Sequence, residues 1–201
     1  MGSLEAFWEY AERYVPEDAV LIAARQRADE VGCTPVGPGA GAALRLLAAA
    51  IAAKSVMELG TGTGVSGTWL LRGMRTDGVL TSIDVEPEHQ RLARATFDEA
   101  GFPGGRVRLI NGAALEVLPR FTDGAYDMVV VDAVRGEYAA YLEEALRLLR
   151  PGGVLVFDDA VGADDAASES LRSFASGLVD DERVLPAMLP SGEGLLVAVK
   201  R

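Results

Sequence analysis

Apolar positions change their spacing near residue 55, and the change divides the chain. Before it they recur every three or four residues, which predicts helices over about Leu4–Tyr14, Asp18–Val31 and Gly39–Ala53. Pro35-Val36-Gly37-Pro38 interrupts the pattern before the third helix. Beyond residue 55, short continuous apolar runs alternate with helical patterns. The runs predict strands at Ser55–Leu59, Val79–Asp84, Val107–Asn111, Met128–Val131 and Gly153–Phe157. A strand that is apolar throughout is covered on both faces, so the alternation predicts a mostly parallel sheet with helices on either side. Tyr138, Tyr141, Leu142, Ala145, Leu148 and Leu149 repeat at helical spacing and read as core, stopped by Pro151-Gly152-Gly153. A helix near Ala166–Leu178 follows. Val184–Leu189 and Leu195–Val199, joined through Pro190–Gly194, complete seven strands with an antiparallel hairpin.

Composition narrows this picture. With 201 residues and 49% apolar content, the chain is read as one domain over 1–201, a helical cap or lid (1–54) on an α/β core (55–201). The net charge of −11 leaves little basic surface to neutralise phosphates, so no nucleic acid partner is expected. The single cysteine, Cys33, cannot form an internal disulfide, and no leader pattern is visible at the N-terminus. The apolar run Ala42–Ala53 is too short for a bilayer and contains Arg45. A cytoplasmic protein with no membrane partner is the expectation.

The candidate chemistry begins at Val56-Met57-Glu58-Leu59-Gly60-Thr61-Gly62-Thr63-Gly64-Val65-Ser66-Gly67, where an apolar strand meets a helix through alternating glycines. Glycine tolerates positive φ and lacks a Cβ, so backbone N–H groups at the helix start can approach a ligand closely. Gly62-x-Gly64-x-x-Gly67 also satisfies the dinucleotide fingerprint, and Asp84 lies 20 residues past Gly64, where a ribose-binding acid belongs. That pair fits NAD or S-adenosylmethionine. Glu58 favours the second: a pyrophosphate has no use for a carboxylate two residues before the first glycine, whereas the ammonium of S-adenosylmethionine does. The long helical segment before the first strand points the same way.

Residues that end parallel strands converge on one crevice. Asp132 follows Met128–Val131, and Asp158-Asp159 follow Val154–Phe157. Three carboxylates form a hard oxygen set suited to Mg²⁺ or a similar divalent cation, which would bind a substrate's hydroxyls and lower their pKa. The competing role for these acids is capping of the next helices. His89, the only histidine, reads as a surface residue, Cys33 as a small packed one, and Phe7, Trp8 and Tyr10 as packing, an entrance or a dimer contact.

Together, Glu58-Leu59-Gly60-Thr61-Gly62, Ser82–Glu88, Tyr126–Ala133, Leu149–Gly153 and Asp158-Asp159 resemble the catechol and caffeoyl-CoA type of S-adenosylmethionine-dependent O-methyltransferases, above all the small bacterial members. The likeness runs in order through nearly the whole chain. It implies a Rossmann-like class I methyltransferase fold, a homodimer and transfer of a methyl group to a small-molecule hydroxyl, catechol-like or otherwise phenolic. For the cofactor it implies contacts at Val36, Glu58, Gly60, Thr61, Gly62, Ser66, Asp84, Val85, Ala114 and Asp132, with Val36 in a lid segment and Ala114 where a serine is frequent. For the metal it implies Asp132, Asp158 and Asp159, the last at a position usually asparagine.

The chain departs from the family's pattern after Asp132. An Asp-Ala-Asp-Lys run, whose lysine is the proposed base, is replaced by Asp132-Ala133-Val134-Arg135. Arginine stays protonated, so Arg135 cannot remove a proton, although it can stabilise an oxyanion. Asp132 and Arg135 are therefore the candidate catalytic residues. An NAD-dependent oxidoreductase and a non-catalytic S-adenosylmethionine-binding protein are the alternatives.

Overall fold

The computed structural model describes residues 4–161 and 166–201. Helices α1 (Leu4–Glu12), α2 (Ala19–Val31) and α3 (Pro38–Ala50) precede the first strand. The alternating part runs β1 (Ser55–Leu59), α4 (Val65–Gly73), β2 (Val79–Asp84), α5 (Pro87–Glu99), β3 (Val107–Asn111), α6 (Ala114–Val117) and β4 (Tyr126–Val131). It continues through α7 (Tyr138–Leu148), β5 (Leu149–Phe157) and α8 (Ala166–Val179) to β6 (Val184–Leu189) and β7 (Leu195–Lys200). The sheet order is β3-β2-β1-β4-β5-β7-β6. β1 to β5 pair in parallel, and β7 runs antiparallel to both β5 and β6. This is the mostly parallel seven-stranded sheet with a C-terminal hairpin that the apolar pattern predicts, in the Rossmann-like arrangement that the resemblance implies. Because the chain winds outward from β1 to β3 and then returns to β4, a crevice opens at the carboxyl ends of β1 and β4.

Alternation along the strands builds two cores. Val56, Met128, Val130, Val154 and Val156 face Leu44, Trp69 and Leu70, whereas Met57, Leu59, Val129, Val131, Leu155 and Phe157 face Tyr138, Leu142 and Leu146. Each fully buried side chain of this size contributes about 1.5–3 kcal/mol. Glu58 shares the face of Val56 and so points toward α4, where an acid has to find donors. Trp69 is accommodated because α3 carries Gly41 opposite its ring; a Cβ there would lie 2.4 Å from the indole.

The N-terminal helices are bonded to the core beneath them. Asp18 caps α2 by accepting from the Leu21 N–H at 3.2 Å. Thr63, in the glycine turn, donates its hydroxyl to the Ala24 carbonyl at 2.8 Å. Arg25 donates to both Glu17 oxygens and to the Val36 carbonyl, fixing the segment before α3.

Several boundaries differ from the sequence expectation. α1 ends at Glu12, and α3 ends at Ala50, since the chain turns into β1 through Ala52 at φ +49°. β5 begins at Leu149, ahead of the Pro-Gly-Gly run that reads as a stop. The pairing shifts from Tyr126↔Leu149 to Met128↔Val154, and Pro151 and Gly152 sit exposed in the resulting irregularity. Arg150 to Asp127 at 2.6 Å pins it. No helix among the described residues is long and apolar enough to cross a membrane.

Candidate active site

Three glycines carry the turn after β1 at positive φ: Gly60 (+92°), Gly62 (+48°) and Gly64 (+87°). Gly60 is the most constrained, because a Cβ there would stand 1.8 Å from the Asp132 carbonyl oxygen. The turn is thus pressed against the residue that follows β4. Asp84, at the end of β2, holds it from the other side: Oδ2 accepts from the Thr61 and Gly62 N–H groups at 2.9 and 3.0 Å, and Oδ1 accepts from Glu86 N–H at 2.8 Å. Asp84 therefore shapes the turn as well as lining the cavity beside it.

Beneath the turn lies Glu58, fully buried. Ser66 donates to Oε1 at 2.7 Å and Ser82 to Oε2 at 2.5 Å. Burial pushes the Glu58 carboxyl up to about 7; the two hydroxyl donors oppose the shift and the field of Asp84 adds to it. Since the Ser82 hydrogen goes to Glu58, the 2.7 Å contact between Ser82 and Thr61 hydroxyls has Thr61 as donor. A continuous hydrogen-bonded chain links turn, strand and helix start.

Above this floor is a cavity of about 400 Å³, within the size range of small-molecule sites. Gly60, Thr61, Gly62, Ser66, Asp84, Val85, Ala114 and Asp132 line it, all named from the sequence as cofactor contacts. Val36 and Glu58 do not. Val36 is buried in the core, and Cys33, Thr34 and Pro35 form the wall where it was expected. Glu58 stands behind Ser66.

His89 corrects the surface reading: it lines the cavity, with Nδ1 3.4 Å from Asp84 Oδ2. Strand-end logic extended one helical turn past β2 would have found it, together with Glu86. Tyr141 also reaches the cavity from a stripe otherwise devoted to core, its hydroxyl donating to Glu137. No sequence signal separates it from its packed neighbours. Burial, aided by the fields of Asp132 and Asp84, pushes the Cys33 thiol up, which disfavours a reactive thiolate.

At the other end, Asp132 lines the cavity and donates its N–H to the Leu59 carbonyl at 2.8 Å. Burial raises its carboxyl well above the ordinary range, and Asp158, Asp159 and Glu58 add to the shift while Arg135 opposes it. Asp158 is pushed up to about 7 by burial and by Asp159. Asp159 adopts φ +52° and takes an ion pair from Arg135 Nη2 at 2.7 Å; the same nitrogen lies 3.3 Å from Glu193 Oε2. Asp132, Asp158 and Asp159 follow the neighbouring strands β4 and β5, Arg135 comes from the turn after β4 and Glu193 from the hairpin turn; of these, only Asp132 lines the cavity.

As arranged, this set does not fit a divalent ion. No group of three or more His, Cys, Asp or Glu side chains among the described residues is disposed to hold a metal. A guanidinium already occupies one carboxylate of the expected trio. Near a protein surface, unit charges of like sign about 4 Å apart repel by roughly 4 kcal/mol, and a dication doubles that.

The comparisons agree with this architecture. Residues 17–201 match the family model described as O-methyltransferase. A Mycolicibacterium smegmatis protein that bears an O-methyltransferase name is 48% identical over 207 residues, covering 99% of each chain. Among solved structures, the O-methyltransferase TomG of Streptomyces achromogenes, involved in tomaymycin synthesis and in complex with SAM, superposes with a TM-score of 0.85. It is 30% identical, over 100% of this chain and 99% of its own. An O-methyltransferase of Bacillus cereus in complex with SAH gives the same TM-score at 27% identity, over 98% of this chain and 97% of its own. The chain belongs to the O-methyltransferase family. The oxidoreductase alternative falls with that result.

Proposed function

We propose that this enzyme moves the methyl group of S-adenosylmethionine to a hydroxyl of a small phenolic molecule. The observation that carries the reading is one continuous cavity, running from the glycine turn and Asp84 to Asp132, Val134 and Tyr141. The donor set suits the cofactor: a cradle that tolerates no Cβ at Gly60, an acid at the ribose position, and Ser66 in the first turn of α4. When bound, S-adenosylmethionine supplies an electrophilic methyl group on a positively charged sulfur.

The chain's own residues position, desolvate and take up a proton. Methylation forms a new oxygen–carbon bond as the sulfur–carbon bond breaks, and it releases the hydroxyl's proton. Asp132, in the cavity wall beside Ala133 and Val134, is the carboxyl placed to take that proton when it is ionised. Arg135 stays charged; ion-paired with Asp159 beside the cavity, its guanidinium acts on Asp132 through its field. Val134 and the buried Tyr141 supply apolar surface on this wall, and excluding water there favours a step in which opposite charges annihilate. Assistance by Mg²⁺, implied by the resemblance, is the part that this arrangement does not support.

Two measurements test the reading. S-adenosylhomocysteine should raise the melting temperature and NAD should not. Labelled S-adenosylmethionine should then yield a methyl ether from at least one member of a panel of catechols and simple phenols. Absence of a shift with S-adenosylhomocysteine would overturn the cofactor assignment. A shift without transfer to any phenol would favour the non-catalytic alternative.

A further inference from the structure

Arg135 begins a short 3-10 turn (Arg135–Glu137) between β4 and α7. Its guanidinium is held from two directions. Asp159 comes from the end of β5, at 2.7 Å, and Glu193 from the β6–β7 turn, at 3.3 Å. That turn is itself tied to the end of β5, because Ala160 N–H donates to the Gly194 carbonyl at 2.9 Å and Val161 N–H to the Glu193 carbonyl at 3.0 Å. The guanidinium therefore sits at a position fixed by three separate segments, with 35% of the side chain exposed. It is also the cation whose field reaches both Asp132 and Asp158.

We propose that Arg135 is the resident cation of this site and takes the place of a divalent ion, so that the enzyme binds and methylates its acceptor without a metal. The inference deepens the methyltransferase reading and rests on it. Its chemical content is a change of ligand for the acceptor oxygen. A divalent ion offers several open coordination positions and can chelate two adjacent hydroxyls. A guanidinium carries one positive charge on a planar fork of N–H donors. Both of its ionic contacts among the described residues leave from Nη2, and the guanidinium stands beside the wall that Asp132, Ala133 and Val134 give the cavity. An acceptor held this way needs one hydroxyl, or a hydroxyl beside a carboxylate, and gains nothing from a vicinal diol. The substrate class implied is monohydroxy phenols and hydroxybenzoate-like acids.

Mn²⁺ is the probe for the test, its free form counted by electron paramagnetic resonance in protein saturated with S-adenosylhomocysteine. Wild type should leave the Mn²⁺ signal as it is in buffer. Arg135→Ala, which frees Asp159 and removes the competing charge, should bind one Mn²⁺ about tenfold or more tighter than wild type, and adding Asp158→Asn should abolish the gain. Arg135→Gln provides the same test with a bulkier side chain, should the alanine variant melt early. Stoichiometric Mn²⁺ on wild type, lost with Asp158→Asn, would overturn the proposal. So would absence of Mn²⁺ binding in both Arg135 variants, because the arginine would then occupy no place a metal can use. Calorimetric affinity for S-adenosylhomocysteine in the same samples reports separately on the methyltransferase reading.

Discussion

The two ends of the cavity are built on different principles. The cofactor end is assembled from residues 58–66 and 82–86, two adjacent parallel strands and the turns that leave them, and its polar groups satisfy one another at short range. Asp84 receives the turn's N–H groups, and Glu58 receives Ser66 and Ser82. The other end is walled by Asp132, Ala133, Val134 and Tyr141, and beside it stand Asp158, Asp159 and the hairpin turn, where charges are balanced by an ion pair between segments distant in sequence. One end is a preformed cradle whose shape follows from local backbone demands. The other is an electrostatic arrangement that depends on the hairpin being seated, and a single charged side chain determines what it can bind.

The contrast is testable first where the two ends touch. Gly60→Ala places a Cβ 1.8 Å from the Asp132 carbonyl at φ +92°, so neither rotation nor a side-chain shift relieves it. A loss of about 3 kcal/mol or more is expected, along with a more than tenfold drop in affinity for S-adenosylhomocysteine. Denaturant melts and calorimetry check both; a wild-type melt would show that the ends are not in contact.

Glu58 sharpens the comparison through pH. Its pKa when folded is about 7, against an ordinary 4.5. A carboxyl raised on folding holds its proton more tightly in the native state, so its stabilisation is full below about 4.5 and is lost as pH rises through about 7. The amount at stake is on the order of 3 kcal/mol. Asp158 has the same sign, so Glu58→Gln should flatten the fall in melting temperature across this window without removing it. An unchanged slope in the variant would mean that Glu58 is not the buried titrating group.

The smallest effect concerns the seating of the hairpin turn. Glu12 Oε1 accepts from the Ser191 hydroxyl at 2.6 Å and Gly192 N–H at 3.0 Å, and Oε2 accepts from Gly39 N–H at 3.0 Å. Burial pushes this carboxyl up, yet the Ser191, Gly192 and Gly39 hydrogen bonds outweigh it and hold the pKa below 4.5. Its contribution is therefore present above 4.5 and lost as pH falls. Glu12→Ala should cost about 1–2 kcal/mol and speed amide exchange at Gly39 and Gly192, with cofactor affinity unchanged. Protected exchange at Gly192 in the variant would count against the tie between α1 and the turn.

How much of this was legible beforehand differs between the two ends. The bounds of β1, β2 and β3 can be read from their apolar runs, although β2 carries Thr81, Ser82 and Asp84 and the edge strand β3 carries the exposed Arg108 and Asn111. The start of β5 cannot, since Pro151-Gly152 signals a stop unless one knows that Arg150 and Asp127 hold a bulge there. The glycine turn, Asp84 and the strand-end carboxylates are visible because strand ends converge by topology. Cys33, Thr34 and Pro35 in place of Val36, and Tyr141 within a core stripe, depend on which way each side chain turns, and periodicity carries no such information.

By itself, then, the sequence determined the order and type of the elements, the sheet they form and the cofactor cradle, because these follow from local conformational cost and from the burial of apolar runs. Only the tertiary structure decided that Glu58 serves the turn from below, that His89 faces Asp84, and that Arg135 is held between Asp159 and Glu193. Those outcomes depend on distances between segments far apart in the chain, where the energy of a charge is set by what stands within a few ångströms of it.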